Sequence, residues 1–192
     1  IVLNCSCYSS TIRGCRIKHN QIGILIDGDT TTFPSNNNHV VGNSITDNDY
    51  GIVLRDAVQG NIIDSNAIEN NTQIGVLLQT TNSYLLEPYG NRITNNWLER
   101  SDPLILLNST DTTPFGEPTC NMILDNVWAP EADNSTVYQV NDGTYNMAMH
   151  NMLYFGSNNG VVQFDSGADS NFFIYNTGLP ANYYIYDSGR AT

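Results

Sequence analysis

An eight-residue string, Asn-x-[Ile/Val]-x-x-Asn-x-[Ile/Leu], recurs along this chain, and no other feature restricts its folding as strongly. NHVVGNSI begins at Asn38, NIIDSNAI at Asn61, NRITNNWL at Asn91, NMILDNVW at Asn121, NMAMHNML at Asn146 and NFFIYNTG at Asn171, with a degenerate copy, STIRGCRI, at Ser10. Asn fills the first and the sixth slot in six of the seven copies. An apolar piece follows each copy, as in GILI at 23–26, GIVL at 51–54 and GVLL at 75–78. The starting residues are spaced by 28, 23, 30, 30, 25 and 25 positions. Asn suits neither helix interiors nor strands, so its regular place beside Ile and Val marks bends rather than elements. The period is too long for a heptad, and the units are too β-branched for helical repeats. Each unit reads as three short strands of ~3–5 residues separated by corners, which makes one coil of a β-solenoid.

Coils of such a solenoid stack ~4.8 Å apart, so equivalent residues form columns. The third slot (Ile12, Val40, Ile63, Ile93, Ile123, Phe173) and the eighth (Ile17, Ile45, Ile68, Leu98, Trp128, Leu153) are expected to face inward. The Asn slots fall at corners, where a short amide can satisfy backbone groups and its own copies above and below.

The repeat resembles that of the right-handed parallel β-helix family, the pectate-lyase-like superfamily, which includes polysaccharide lyases and hydrolases, uronan epimerases and viral tailspikes. The resemblance runs from Ser10 to about Asp187. It implies an all-β fold: a single-stranded right-handed parallel β-helix of about seven coils, with three short strands per coil and Asn ladders at the corners. Residues 1–192 would form one domain, a piece of a longer chain. Fold does not fix activity. The catalytic signatures of the family are missing: no Arg or Lys base among calcium-binding Asp residues, no Asp-Asp pair in a Gly-rich setting, and no Asp-Pro-His cluster. His19, His39 and His150 fall on different coils and cannot assemble one site.

A net charge of −12, from 19 acidic and 7 basic residues, argues against nucleic acid, because nothing here would neutralise a run of phosphates. It also disfavours a polyanionic polysaccharide without a bridging divalent cation. No apolar run reaches the ~18–20 residues of a membrane span. Ile1-Val2-Leu3-Asn4 matches the tail of the third strand, as in GIVLR ending at Arg55, so the chain is expected to start partway round a coil. Open solenoid ends expose strand edges, so further segments of the same chain or partner subunits are expected to cap them. Of four cysteines, Cys120 lies about four coils from Cys15, or ~19 Å at the stacking distance. That is too far for a disulfide, which needs Cα atoms within ~7 Å, so Cys120 should be a free thiol. Cys15 occupies an Asn-ladder slot as a small core residue, while the disulfide state of Cys5, Cys7 and Cys15 stays open. No metal site and no cofactor are expected.

Candidate chemistry lies in the outward slots. The ninth slot places Glu69 and Glu99 on neighbouring coils, one strand spacing apart, a separation close to the ~5 Å between the carboxyl groups of retaining glycosidases. Like charges that close should raise one pKa. Asp64 joins them as a third catalytic candidate. Trp97 offers a ring for stacking on a sugar, and Arg92 lies beside it; the bland alternative is that Arg92 and Arg100 simply pair with these acids. Insertions after the third strand, Asp27 to Asn37, Gln79 to Gly90 and Asn108 to Cys120, carry Phe33, Tyr84, Tyr89 and Phe115 with Thr, Asn and Pro. Insertions on one edge of a repeat protein commonly build its binding wall, and this mixture suits a neutral glycan. Equally, the loops could fold back over outward-facing Leu25, Leu77 and Leu106. The upper coils carry an apolar outer surface of Met122, Leu124, Met147, Met149, Met152, Phe172 and Ile174, which reads as a subunit interface, as in a parallel homotrimer. Two functions fit. One is an extracellular or virion-surface module, tailspike- or adhesin-like, binding a polysaccharide or cell-surface glycan. The other is a secreted polysaccharide hydrolase or lyase using Glu69 and Glu99.

Overall fold

The computed structural model describes residues 1–4, 6–28, 34–81, 87–110, 116–130, 135–154, 160–178 and 184–187. The chain winds into a three-sided parallel solenoid of about six turns, in rough agreement with the repeat count. Face one stacks Thr11–Arg13, His39–Val41, Ile62–Asp64, Arg92–Thr94, Met122–Leu124, Met147–Met149 and Phe172–Ile174. Face two stacks Arg16–Lys18, Ser44–Thr46, Ala67–Glu69, Trp97–Glu99, Val127–Ala129 and Met152–Leu153. Face three carries the longer strands, from Val2–Asn4 and Ile22–Asp27 through Tyr50–Arg55, Ile74–Thr80, Ile105–Ser109, Ser135–Thr144 and Gly160–Asp169 to Tyr184–Asp187. Val2–Asn4 pairs in register with Leu25–Asp27, and Asp27 in turn with Arg55, as the matching of Asn4 to Arg55 requires.

Both inward columns face the core. Val40, Ile63, Ile93, Ile123, Ile45, Ile68, Leu98 and Trp128 are fully buried, and Phe173 packs partly buried against them. In the upper coils the aliphatic stack turns aromatic: Trp128, Tyr138 and Phe173 lie with ring centroids 6.2 Å apart and near-parallel planes. Small Ala148 fills the slot where other coils hold Ile or Val.

The corners use two adjacent residues. The first takes a left-handed backbone, as at Ser65 (φ 55°), Asn95 (φ 56°), Asp125 (φ 55°), His150 (φ 57°) and Tyr175 (φ 54°). The second is the buried Asn. Each Asn Oδ1 accepts from both the backbone N–H and the Nδ2 of the Asn one coil earlier, as Asn96 does from Asn66 at 2.9 and 3.0 Å. Its own Nδ2 reaches back to a backbone carbonyl, here Ile63 at 2.9 Å. One amide thus ties three coils together. Such a ladder offsets the ~1–2 kcal/mol that a left-handed conformation costs a non-glycine residue.

A short fourth side was not legible in the repeat. Ser35–Asn36 pairs with Val58–Gln59, and single bridges extend the column through Tyr8, Tyr89, Thr119 and Thr144. Cys120 is a free thiol, as are Cys7 and Cys15; Cys5 lies outside the described residues. Cys15 sits in its ladder column, donating its N–H to Asn43 Oδ1 at 2.9 Å, but is only half-buried.

Candidate functional site

Face two places Glu69 directly opposite Glu99 in the parallel register, and Ala67 opposite Trp97. At a strand spacing of ~4.8 Å the two residues are neighbours in one outward column. They are not equivalent. Glu99 is held on both oxygens, Oε2 accepting from Trp97 Nε1 at 2.9 Å and Oε1 facing Arg100 Nε at 3.1 Å. The expected pairing of Arg100 is therefore present with Glu99, whereas Glu69 makes no ion pair among the described residues. The next residue up the ninth-slot column is Ala129, followed by Tyr154. Over small Ala129 the rings of Trp97 and Tyr154 meet, centroids 6.0 Å apart and inclined by 47°. Both stay in solvent, Trp97 36% and Tyr154 60% exposed. The indole is oriented by a charge-assisted bond to Glu99, so the ring is a fixed platform. The meeting of Tyr154 with Trp97 depends on Ala129 being small.

Asp64 lies on the neighbouring face one. Its Oδ1 accepts from Thr94 Oγ1 and Asn95 Nδ2, both at 2.8 Å, and its Oδ2 from Ser65 Oγ at 2.8 Å. Partial burial pushes this carboxyl up, but the bonds from Asn95, Thr94 and Ser65, with the nearby Arg92 guanidinium, outweigh it and hold the group below the usual carboxylate range. Asp64 is thus an ionised acceptor linking two coils, with no proton to give at neutral pH. Arg92 is exposed beside it and makes no ion pair among the described residues.

Face three carries a shallow groove of about 330 Å³, floored by Val53, Leu77 and Leu106 and edged by Arg55, Gln79 and Asn108. Val53 and Leu77 point outward yet are nearly buried, whereas Leu25 and Leu106 are half-buried. Arg55 is clamped to Asp27 through Nε to Oδ1 at 2.9 Å and a second bond to Oδ2 at 2.6 Å. Further up, Asn141 Nδ2 donates to Asn108 Oδ1 at 3.1 Å. Of the loop aromatics, Tyr89 is 47% exposed on the short fourth side. Phe33, Tyr84 and Phe115 lie outside the described residues.

Comparison with protein families gave a match to the family described as right handed beta helix region, over residues 1–179. The chain belongs to the right-handed β-helix family. Comparisons with curated proteins and with solved structures gave no match.

On the upper coils of the β-helix, Met122, Met147 and Phe172 stack in one outward column of face one and Leu124, Met149 and Ile174 in the next. Met122, Phe172 and Ile174 are exposed, the other three half-buried, and Met152 is exposed on face two. At the adjoining corner His150 packs against the Tyr175 ring at 5.9 Å and lies 3.8 Å from Asp125.

The β-helix also gathers acids beside its third face. Burial, with the charges of Asp142 and Asp169, holds the Glu117 carboxyl above the usual range. Burial and Asp165 do the same for Asp142, against the Ser109 backbone N–H that favours its charge. Raised acids of this kind contribute stability that is fully present below their unfolded pKa of ~4 and lost as pH rises through the folded value. The double change Glu117→Gln with Asp142→Asn is therefore expected to raise the melting temperature at pH 7, less so in high salt, and to lose that gain near pH 4. Melts of both proteins at the two pH values check this; an equal gain at both would exclude a charge effect. None of the acids forms, with His or Cys, a metal-binding group among the described residues.

Proposed function

We propose that the chain is a glycan-binding β-helix module of the tailspike or adhesin kind, working at an extracellular or virion surface. The observation that supports it is the exposed Trp97–Tyr154 pair, held by Glu99 and next to Glu69. Aromatic rings offer large rigid contact area at low entropic cost, and the C–H face of a sugar stacks on them while its hydroxyls reach the flanking carboxylates. A net charge of −12 favours a neutral glycan over a polyanion. Trp97→Ala is expected to weaken binding to the preferred polysaccharide of a glycan panel about tenfold or more, the usual cost of removing a central aromatic anchor. Binding that survives unchanged would remove this face from the proposal.

The apolar columns of face one support association with further copies of the chain in a homotrimer, or with further segments of it. Sedimentation reads this directly, and a monomer at micromolar concentrations would count heavily against it.

One observation favours a second reading, in which the protein is a polysaccharide hydrolase. Glu69 and Glu99 lie in register at about the retaining-glycosidase spacing. Asp64 drops out of that mechanism as a proton donor. Turnover that persists in both Glu69→Gln and Glu99→Gln would sink it.

A further inference from the structure

A third Asn ladder runs through the lower coils and then stops. Asn20 donates its N–H and Nδ2 to Asn48 Oδ1 at 3.0 and 3.1 Å, and Asn48 donates likewise to Asn71 Oδ1 at 3.1 and 3.2 Å. In the next coil the slot above Asn71 holds Ser101. Its hydroxyl is too short to stand in for the amide: Oγ is buried, the residue 5% exposed, without a hydrogen-bond partner. Asn71, fully buried, loses the acceptor that every lower member of the ladder has.

Beside the interruption lies a half-open cavity of about 430 Å³, lined by Asn70, Asn71 and Thr72 from one coil, Arg100, Ser101 and Asp102 from the next and Ser135 from the one above. This is roughly an order of magnitude more than the ~30 Å³ share of one water, and falls in the ~300–1,000 Å³ range of ligand pockets. Its described walls carry no apolar side chain, so an apolar ligand would leave polar groups unpaired. Its charges are already engaged: Arg100 Nε faces Glu99, and Asp102 Oδ1 accepts the Thr136 N–H at 2.9 Å. Asn71 Nδ2 keeps a bond to the Ile45 carbonyl at 3.3 Å, so what remains is its second hydrogen and the Asn71 N–H at the broken end of the ladder and one free hydroxyl, a set matched by neutral oxygens. Arg100 directly follows Glu99, which places the cavity at the corner bordering the Trp97 face.

We propose that this ladder gap is a subsite for one unit of a neutral glycan, a sugar hydroxyl oxygen standing where the missing Asn amide oxygen would be. The inference rests on the glycan-binding reading above and gives it a second contact point.

The test is a titration of the full chain with the methyl glycosides of glucose, galactose, mannose and N-acetylglucosamine, followed by amide nitrogen–proton NMR. With one of these, shifts are expected at the amides of Asn71, Thr72, Ser101 and Asp102. Ser101→Asn completes the ladder; it should abolish those shifts and raise the melting temperature. Ser101→Ala, which leaves the cavity open but removes the hydroxyl, should weaken the site several-fold. A role confined to packing would change the melting temperature in Ser101→Asn without any sugar-dependent signal to lose. Shifts that persist in Ser101→Asn overturn the subsite. Shifts confined to Trp97, Ala129 and Tyr154 overturn it too but leave the glycan-binding reading standing. Silence with all four glycosides overturns the subsite, while the polysaccharide panel with Trp97→Ala decides the wider reading separately.

Discussion

Asn96→Ala is expected to remove about 4 kcal/mol of stability, read as a fall in the denaturation midpoint. The Asn96 amide takes part in four hydrogen bonds. It accepts from the Asn66 N–H and Nδ2, and it donates to the Ile63 carbonyl and to Asn126 Oδ1, all between 2.9 and 3.0 Å. Asn66 is 2% and Asn96 1% exposed, so water cannot replace what is lost. Each buried donor left unpaired costs ~1–3 kcal/mol, and Asn66 alone is left with two. Against the ~5–15 kcal/mol of a typical domain this is a large share. Because stability in a solenoid is a sum of neighbour terms, the loss should fall on the junction between adjacent coils and make unfolding less cooperative. Asn96→Asp is a sharper probe. A carboxylate there would set oxygens against Asn126 Oδ1 and the Ile63 carbonyl, while its protonated form regains one donor. The Asp variant should thus be worse than Ala at neutral pH and recover on acidification. An Ala variant within about 1 kcal/mol of the parent, the net worth of one ordinary hydrogen bond, would mean that the ladder contributes little.

Gly51→Ala should be nearly as damaging, at about 3 kcal/mol, for a reason unrelated to backbone freedom. Gly23, Gly51 and Gly75 are the second residues of the third-face strands of successive coils, and each lies against a carbonyl oxygen of the coil above. A Cβ on Gly51 would run into the Gly75 carbonyl oxygen, with Ile68 Cγ2 at 2.8 Å and Asn71 Nδ2 at 3.0 Å closing the other sides. Backbone oxygen cannot rotate away as a side chain can, so the coil spacing itself would have to open. Gly14 is the control. A methyl group there would meet no atom within 4 Å, but the backbone has a φ of 64°, so Gly14→Ala should cost only the ~1–2 kcal/mol of a left-handed alanine. Equal losses at the two sites would refute the close-approach account.

The residues that revealed the architecture are those whose environment repeats. Asn61, Asn66 and their counterparts meet the same three neighbours in each coil, and Ile63 and Ile68 the same core, so burial and pairing leave a periodic mark. The residue before each Asn leaves none. Gly60, Cys120, Tyr145 and Ser170 share one left-handed position, because the ladder enforces that backbone whatever side chain stands there. Face-two chemistry was half legible. The register of Glu69 with Glu99 follows from slot counting, but the contact of Trp97 with Tyr154 spans two coils and needs the small residue between them. Ser101 was invisible for the opposite reason: its meaning lies in what it fails to be, and only the orphaned Oγ discloses it. The short fourth side through Tyr8, Asn36, Gln59, Tyr89, Thr119 and Thr144 stands two residues before each repeat start, but its residue types share no pattern that would mark it.

The corner amides all point one way. Within each row the donors of one coil meet the Oδ1 of the Asn in the coil that follows, from Ser10 to Asn38 and onward to Asn171, while the second Nδ2 hydrogen reaches back to a backbone carbonyl of the coil before. The rows are therefore chains of aligned dipoles, and polarisation along such chains strengthens each link by the presence of the others. Polarity of this kind makes the two directions along the axis chemically different, because the Oδ1 lone pairs of each row all face the coil before. A coil can be added to such a stack only head to tail. Two stacks brought together head to head would leave the Oδ1 oxygens of each row without the N–H and Nδ2 pair they accept from in register.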